Sequence, residues 1–129
     1  MTPSTVENLA DAQFVALTTF RRDGRAVPTP VWVVPLDGGL GVWTPGSSGK
    51  VKRIRRDGAV TLAPCTRRGE VQGEAVPATA RVLDEAGTRR VRAAVRKKYG
   101  VLGWVLTTIS GLRKREGVGA VGLSITLTP

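Results

Sequence analysis

Gln13 to Thr44, QFVALTTFRRDGRAVPTPVWVVPLDGGLGVWT, reads as three β-strands joined by two tight turns. Gln13 to Arg21 is rich in Phe, Val and Thr, residues that suit a pleated, half-buried surface. Arg22-Asp23-Gly24 follows with hairpin chemistry, since Asp-Gly tolerates the positive φ of a tight turn. Arg25 to Val34 forms the second strand, Leu36-Asp37-Gly38-Gly39 the next turn, and Leu40 to Thr44 the third strand.

Outward from this core the chain alternates between helix and strand. Ser48 to Arg56 is a short basic helix that Asp57-Gly58 ends with a residue tolerant of left-handed backbone. Val60 to Thr66 makes a fourth strand, Arg67-Arg68-Gly69-Glu70 a turn, and Val71 to Leu83 a long fifth strand, so that the pattern is a meander with one helix inserted. Asp84 to Tyr99 places Val91, Ala94, Val95 and Tyr99 at helical spacing, with Asp84 as N-cap and Gly100 as the stop. Val101 to Leu112 is either a second packed helix or a loop over the barrel mouth. Val118 to Leu127 sets Val121, Leu123, Ile125 and Leu127 against small or polar neighbours, the alternation of a half-buried closing strand. About six strands with few helices imply a mainly β fold, a small antiparallel barrel with peripheral helices, in one domain spanning 1–129.

Composition narrows the chemistry. With 41% hydrophobic residues the chain can bury a core. No histidine and one cysteine exclude an intrachain disulfide, the usual zinc ligand sets and histidine-dependent hydrolysis, so no metal site is expected and an enzyme here must lean on a cofactor. The N-terminal residues lack a basic region followed by an apolar core, and Val101 to Leu112 falls short of the roughly 20 apolar residues of a bilayer span, so a cytoplasmic protein is expected. The formal net charge of +10 points to anionic partners, among which nucleic acid, a phospholipid surface and a polyanionic small molecule all qualify.

Val42 to Arg56, VWTPGSSGKVKRIRR, says where an anion belongs. A strand that breaks at Pro45-Gly46 into a Ser/Gly turn and then a helix offers free backbone donors, with Ser47, Ser48 and Lys50 at the helix start. On the helical wheel Val51 and Ile54 share one face and Lys52 and Arg56 the opposite one, while Lys50 and Arg53 flank the apolar stripe. Lys50 lies in the first turn, where the helix end is already positive, and a bound anion would reverse that penalty. Lys52, Arg55 and Arg56 read as a solvated face. In AVPTPVWVV, Pro28 and Pro30 cannot donate to a ladder, so one side of that strand is expected to be unpaired. The backbone of Val27, Thr29 and Val31 then faces a planar heterocycle, or the strand is an ordinary edge protected by its prolines. Trp32 and Trp43 read as core or interface residues and Trp104 as the cover of a cavity. Cys65 is a buried small residue without an activating partner.

The run Trp43-Thr44-Pro45-Gly46-Ser47-Ser48-Gly49-Lys50-Val51-Lys52-Arg53-Ile54-Arg55-Arg56-Asp57, the strand Val60 to Cys65, and the preceding FRRDGRAVPTPVWVV together resemble the flavin and deazaflavin oxidoreductases of the split-barrel class. Within it the chain resembles the pyridoxamine-phosphate-oxidase-like, F420-dependent branch, most closely from Phe14 to Leu83. That resemblance implies an FMN-binding type of split β-barrel and a homodimer with two equivalent cofactor sites at the subunit interface. By position it implies that Val27, Pro28 and Thr29 line the deazaflavin ring, that Thr44, Ser47, Ser48 and Lys50 hold the phosphate, and that Arg53 is a further phosphate ligand. It implies hydride transfer between C5 of F420 and a small organic substrate, with FMN as the second choice of cofactor because the cations around Ser48 are sparser than in pyridoxamine-phosphate oxidases themselves. A protein that binds the cofactor without turnover is a further alternative. Haem is disfavoured by the missing histidine. A nucleic-acid-binding barrel is disfavoured because the basic residues gather on helices and turns rather than on an aromatic strand face.

Overall fold

A computed structural model of the chain describes residues 6–46, 48–114 and 120–128. Its elements run α1 (Val6–Asp11), β1 (Phe14–Phe20), β2 (Ala26–Leu36), β3 (Gly39–Pro45), α2 (Gly49–Arg56), β4 (Ala59–Cys65), β5 (Val76–Val82), α3 (Glu85–Lys114) and β6 (Ala120–Leu127). The six strands close into an antiparallel barrel in the order β1-β2-β3-β6-β5-β4. The meander therefore holds for β1-β2-β3 and again for β4-β5-β6, and it breaks between the two halves. After β3 the chain crosses by α2 to lay β4 against β1, and β6 enters between β3 and β5.

Turn chemistry sets the registers. At the first hairpin Gly24, at φ +88°, donates its N–H to the Arg21 carbonyl while Arg21 donates to that of Arg25. Gly69 makes the same arrangement between Thr66 and Glu70. Asp37 and Gly38 both take positive φ, which lets Leu36 pair directly with Gly39. Gly58 does not have the left-handed role expected of it. Asp57 ends α2 in an extended conformation and its Oδ1 accepts the Ala59 N–H, while a Cβ on Gly58 would come within 2.6 Å of the Ala80 carbonyl oxygen of β5. The long fifth strand is also shorter than expected: Val71 makes an isolated bridge to Cys65, and the ladder resumes at Val76.

Inward residues of all six strands fill the barrel, among them Leu17, Val33, Leu40, Val42, Leu62, Leu123 and Ile125, each fully buried. Leu9 of α1 and Ile54 of α2 join this core from outside the sheet. Burying a side chain such as Ile54 stabilises by about 1.5 to 3 kcal/mol, enough to hold a helix as short as α2 in place. A second cluster, Val34, Val91 and Val95 with Trp32, Trp43 and Tyr99 around it, fixes α3 on β2 and β3. Asp84 caps α3 as the sequence predicts, accepting the Gly87 N–H at 2.8 Å. Gly100 breaks α3 at φ +61°, ψ −132°, so Val101 to Leu112 is a second helical segment rather than a loop.

Candidate functional site

The barrel is split where β2 and β3 part. Their ladder runs from Leu36↔Gly39 to Val33↔Val42 and stops there, leaving Trp32 and Trp43 to diverge. Beyond that point β2 pairs with β1 alone and β3 with β6, so one side of residues 26–32 is unpaired, as the two prolines suggest. Hydrogen-bonded and non-hydrogen-bonded pairs alternate in an antiparallel ladder. Counting from the Arg21–Arg25 bond, Val27, Thr29 and Val31 turn their backbone groups toward β1, and Ala26, Pro28 and Pro30 turn theirs outward. This reverses the expected orientation. The open edge is a row of carbonyl acceptors in which the prolines contribute no N–H.

The opening holds a cleft of about 250 Å³. Pro30, Val31 and Trp32 form one wall, Trp43, Thr44 and Pro45 the other, and Phe14 and Val95 lie below. Lys50 reaches its rim from the first turn of α2. Of the expected residues, Thr44 and Lys50 line this cleft, and Ser48 is the N-cap of the helix that carries Lys50. Val27, Pro28 and Thr29 lie further along β2 and do not line it, while Ser47 lies outside the described residues.

Polar groups here lack partners. Thr44 is 2% exposed and its Oγ1 is buried without a hydrogen bond, as is Ser48 Oγ. Ser48 has the extended backbone of an N-cap, yet its hydroxyl makes no capping bond. The first-turn N–H groups of Gly49, Lys50 and Val51 therefore keep their donor capacity. A buried hydroxyl without a partner costs about 1 to 3 kcal/mol, so each of the two is open to a ligand or an ordered water.

Two cations lie near each other at the start of α2. Burial pushes the Lys50 ammonium below its usual pKa, and the nearby Arg53 charge pushes the same way. Lys50 has no acidic partner among the described residues, and the first turn of α2 carries no acid. Arg53 is held by a 2.6 Å bond from Nε to Oγ1 of the buried Thr19. Its guanidinium folds back over the helix start: a Cβ on Gly49 would lie 2.8 Å from Arg53 Nη1, so glycine there leaves room for it. Arg56, expected in solvent with Lys52 and Arg55, is exposed but donates to the Phe20 carbonyl at 2.7 Å.

The family described as pyridoxamine 5′-phosphate oxidase matches residues 1–118. The chain belongs to that family. No curated protein matches it. Among solved structures of this fold, conserved hypothetical protein Rv2991 from Mycobacterium tuberculosis aligns with TM-score 0.71 at 20% identity, over 100% of this chain and 83% of that one. HutZ, a heme storage protein from Vibrio cholerae, aligns with TM-score 0.69 at 13% identity, over 95% and 87%. PhzG from Burkholderia lata, in complex with tetrahydrophenazine-1-carboxylic acid, aligns with TM-score 0.52 at 20% identity, over 68% and 44%. At these identities the likeness is one of fold.

Two residues outside the expected cofactor-binding set also shape this site: Tyr99, which the sequence offers as an inward-facing helical residue and one candidate proton source, and Lys98. Tyr99 stacks on Trp32 with centroids 4.0 Å apart and planes 10° from parallel. Its hydroxyl accepts the Val33 N–H at 3.2 Å and lies 2.9 Å from the carbonyl oxygens of Val33 and Gln13, standing in for a strand where β1 ends. Burial pushes its pKa up to about 12, opposed by the bond to Val33, so this phenol is a poor proton donor at neutral pH. Beside it Lys98 Nζ donates to the carbonyls of Ala10, Ala12 and Val33, tying α1 to β2. Helical spacing marks Tyr99 as inward-facing, but the destination of its hydroxyl has no local signal. Trp104, expected over a cavity, stands away from the cleft at 56% exposure with Arg96 3.9 Å above its ring.

Proposed function

We propose that this chain is an F420-dependent oxidoreductase, acting on a small organic substrate with the cofactor's phosphate held at the start of α2. The observation that carries this reading is a pair of orphaned hydroxyls, Thr44 Oγ1 in the lining of a mostly apolar cleft and Ser48 Oγ at the N-cap of the helix that brings the partially buried Lys50 to that cleft. A phosphate would accept from both hydroxyls and from the first-turn N–H groups, and would offset Lys50 and Arg53. Trp32, held flat by Tyr99, and Trp43 would bracket a planar ring, and the carbonyls of Pro28 and Pro30 would meet its ring N–H and hydroxyl groups. Val27 and Thr29 would contribute through their side chains rather than their backbone, which faces β1.

Bound F420 would supply hydride transfer at C5, leaving the protein to bind, orient and exclude water. Membership of an oxidase family supports a redox cofactor, and the net charge of +10 suits one that carries a phosphodiester and an oligoglutamate tail. A second copy of the chain would complete the site. The cleft is below the roughly 300 to 1,000 Å³ of ligand pockets, so one subunit encloses only part of such a cofactor.

Titrating purified protein with F420, FMN and haem, followed by fluorescence or absorbance, tests the reading. Tight binding of F420 is expected. Tight FMN binding without F420 binding would replace it with an FMN protein on the same barrel, and haem binding alone would replace it with a haem protein.

A further inference from the structure

We infer that the helical segment after Gly100 is a docking face for an anionic phospholipid surface, which the protein would meet peripherally. Val101, Leu102, Trp104 and Val105 are 81%, 52%, 56% and 47% exposed, a concentration of large apolar side chains that soluble surfaces rarely present. At ~100° per residue these four positions occupy one continuous arc of about 160°, the broad apolar face of an interfacial helix. The break at Gly100 separates this segment from the first half of α3, which packs on the barrel through Val91 and Val95.

The charge around this face selects the occupant. From Glu85 to Lys114 the sequence EAGTRRVRAAVRKKYGVLGWVLTTISGLRK carries eight lysines and arginines against one carboxylate. Arg89 is paired with Glu85, Arg90 with Asp37, and Lys98 donates to carbonyls of α1 and β2, so the described cations next to this segment are Arg96 and Lys97. Arg96 sits over the Trp104 ring, which places a cation at the border of the apolar arc, and Lys97 is exposed beside it. Tryptophan with flanking cations is the composition that suits the headgroup level of a bilayer, where indole and alkyl groups enter the acyl boundary and guanidinium groups meet phosphate. A second copy of this chain fits less well. In a two-fold contact the same basic residues would face one another around the apolar patch, and like charges oppose that pairing. No described helix is long and apolar enough to cross a membrane, so the contact is one of lying on the surface.

Flotation of the full chain with vesicles tests the inference. Binding is expected to phosphatidylcholine vesicles containing about a third phosphatidylglycerol, with a blue shift of tryptophan emission, and not to phosphatidylcholine alone. The double substitution Val101→Ser and Val105→Ser keeps the charge and is expected to weaken vesicle binding roughly tenfold while leaving the circular dichroism spectrum and F420 affinity unchanged. Absence of binding to the anionic vesicles, or equal binding by the variant, would overturn the inference. So would a wild-type oligomer that this variant dissociates in light-scattering chromatography, because the face would then lie between copies.

Discussion

Replacing Lys50 with methionine removes a charge and keeps most of the apolar stem, and the structure gives this change two effects of opposite sign. In the free protein Lys50 is half-buried, shares its surroundings with Arg53, and lies in the positive first turn of α2 without an acidic neighbour among the described residues. Burial first, then Arg53, lowers its pKa from 10.5, so the folded state holds that proton less tightly than the unfolded chain. The protonated ammonium therefore costs stability at neutral pH, and the cost fades as pH rises through the lowered folded value toward 10.5. Lys50→Met should leave the melting temperature of the ligand-free protein unchanged or raise it. With F420 bound the sign reverses. A charge-assisted contact to phosphate contributes about 1.5 to 3 kcal/mol, so the variant should bind about 10- to 140-fold more weakly. Fluorescence titration at low ionic strength reads the affinity, and thermal unfolding without ligand reads the stability. Unchanged affinity would return Lys50 to the status of a surface lysine. A fall in both quantities would show that Lys50 holds the fold rather than the ligand.

Thr44→Val is isosteric and removes a buried hydroxyl that has no partner, so urea denaturation should show the free protein more stable by about 1 kcal/mol while F420 binds less tightly. A loss of stability would mean that this hydroxyl is satisfied in solution. Gly49→Ala should displace the Arg53 guanidinium and weaken F420 several-fold although alanine is the better helix former, and unchanged affinity would remove Arg53 from the grip. The chain has a single tyrosine, so its ultraviolet titration reports Tyr99 alone and should give a midpoint near 12 in the folded protein. Because the folded state holds this proton more tightly than the unfolded chain, the associated stability is complete below pH 10 and is lost between 10 and about 12. A midpoint near 10 before unfolding would contradict the buried hydroxyl. Tyr99→Phe should lower stability by about 1 to 3 kcal/mol through the unsatisfied Val33 N–H, and an equally stable variant would show that water replaces the phenol.

The parts of this protein legible in its sequence are those set by neighbours along the chain. Six strands, the Asp84 cap, the break at Gly100 and the grouping of Thr44, Ser48 and Lys50 depend on runs of about ten residues, over which period and turn chemistry speak plainly. The pairing of β4 with β1 and of β6 with β3 joins distant segments, and no local pattern distinguishes it from a meander. Val6–Asp11 is too short for a helical period to show, and it is secured by Leu9 in the core and Lys98 from far along the chain.

The ring side of the site fails to show for a more specific reason. Two prolines announce an unpaired edge on β2, but which residues face it depends on the phase of the β1–β2 ladder, and that phase is set by the three-residue turn at Arg22-Asp23-Gly24. A slip of one residue would exchange Val27 and Thr29 with Pro28 and Pro30 and turn every side chain to the other face of the barrel. The prolines themselves resolve the phase once the turn is known, because they are tolerated only where the missing N–H faces away from β1. The hairpin thus does more than connect strands. By fixing which β2 residues face the split, Gly24 decides the side of β2 available to a ligand near Lys50, which is distant along the chain but lies across the same opening.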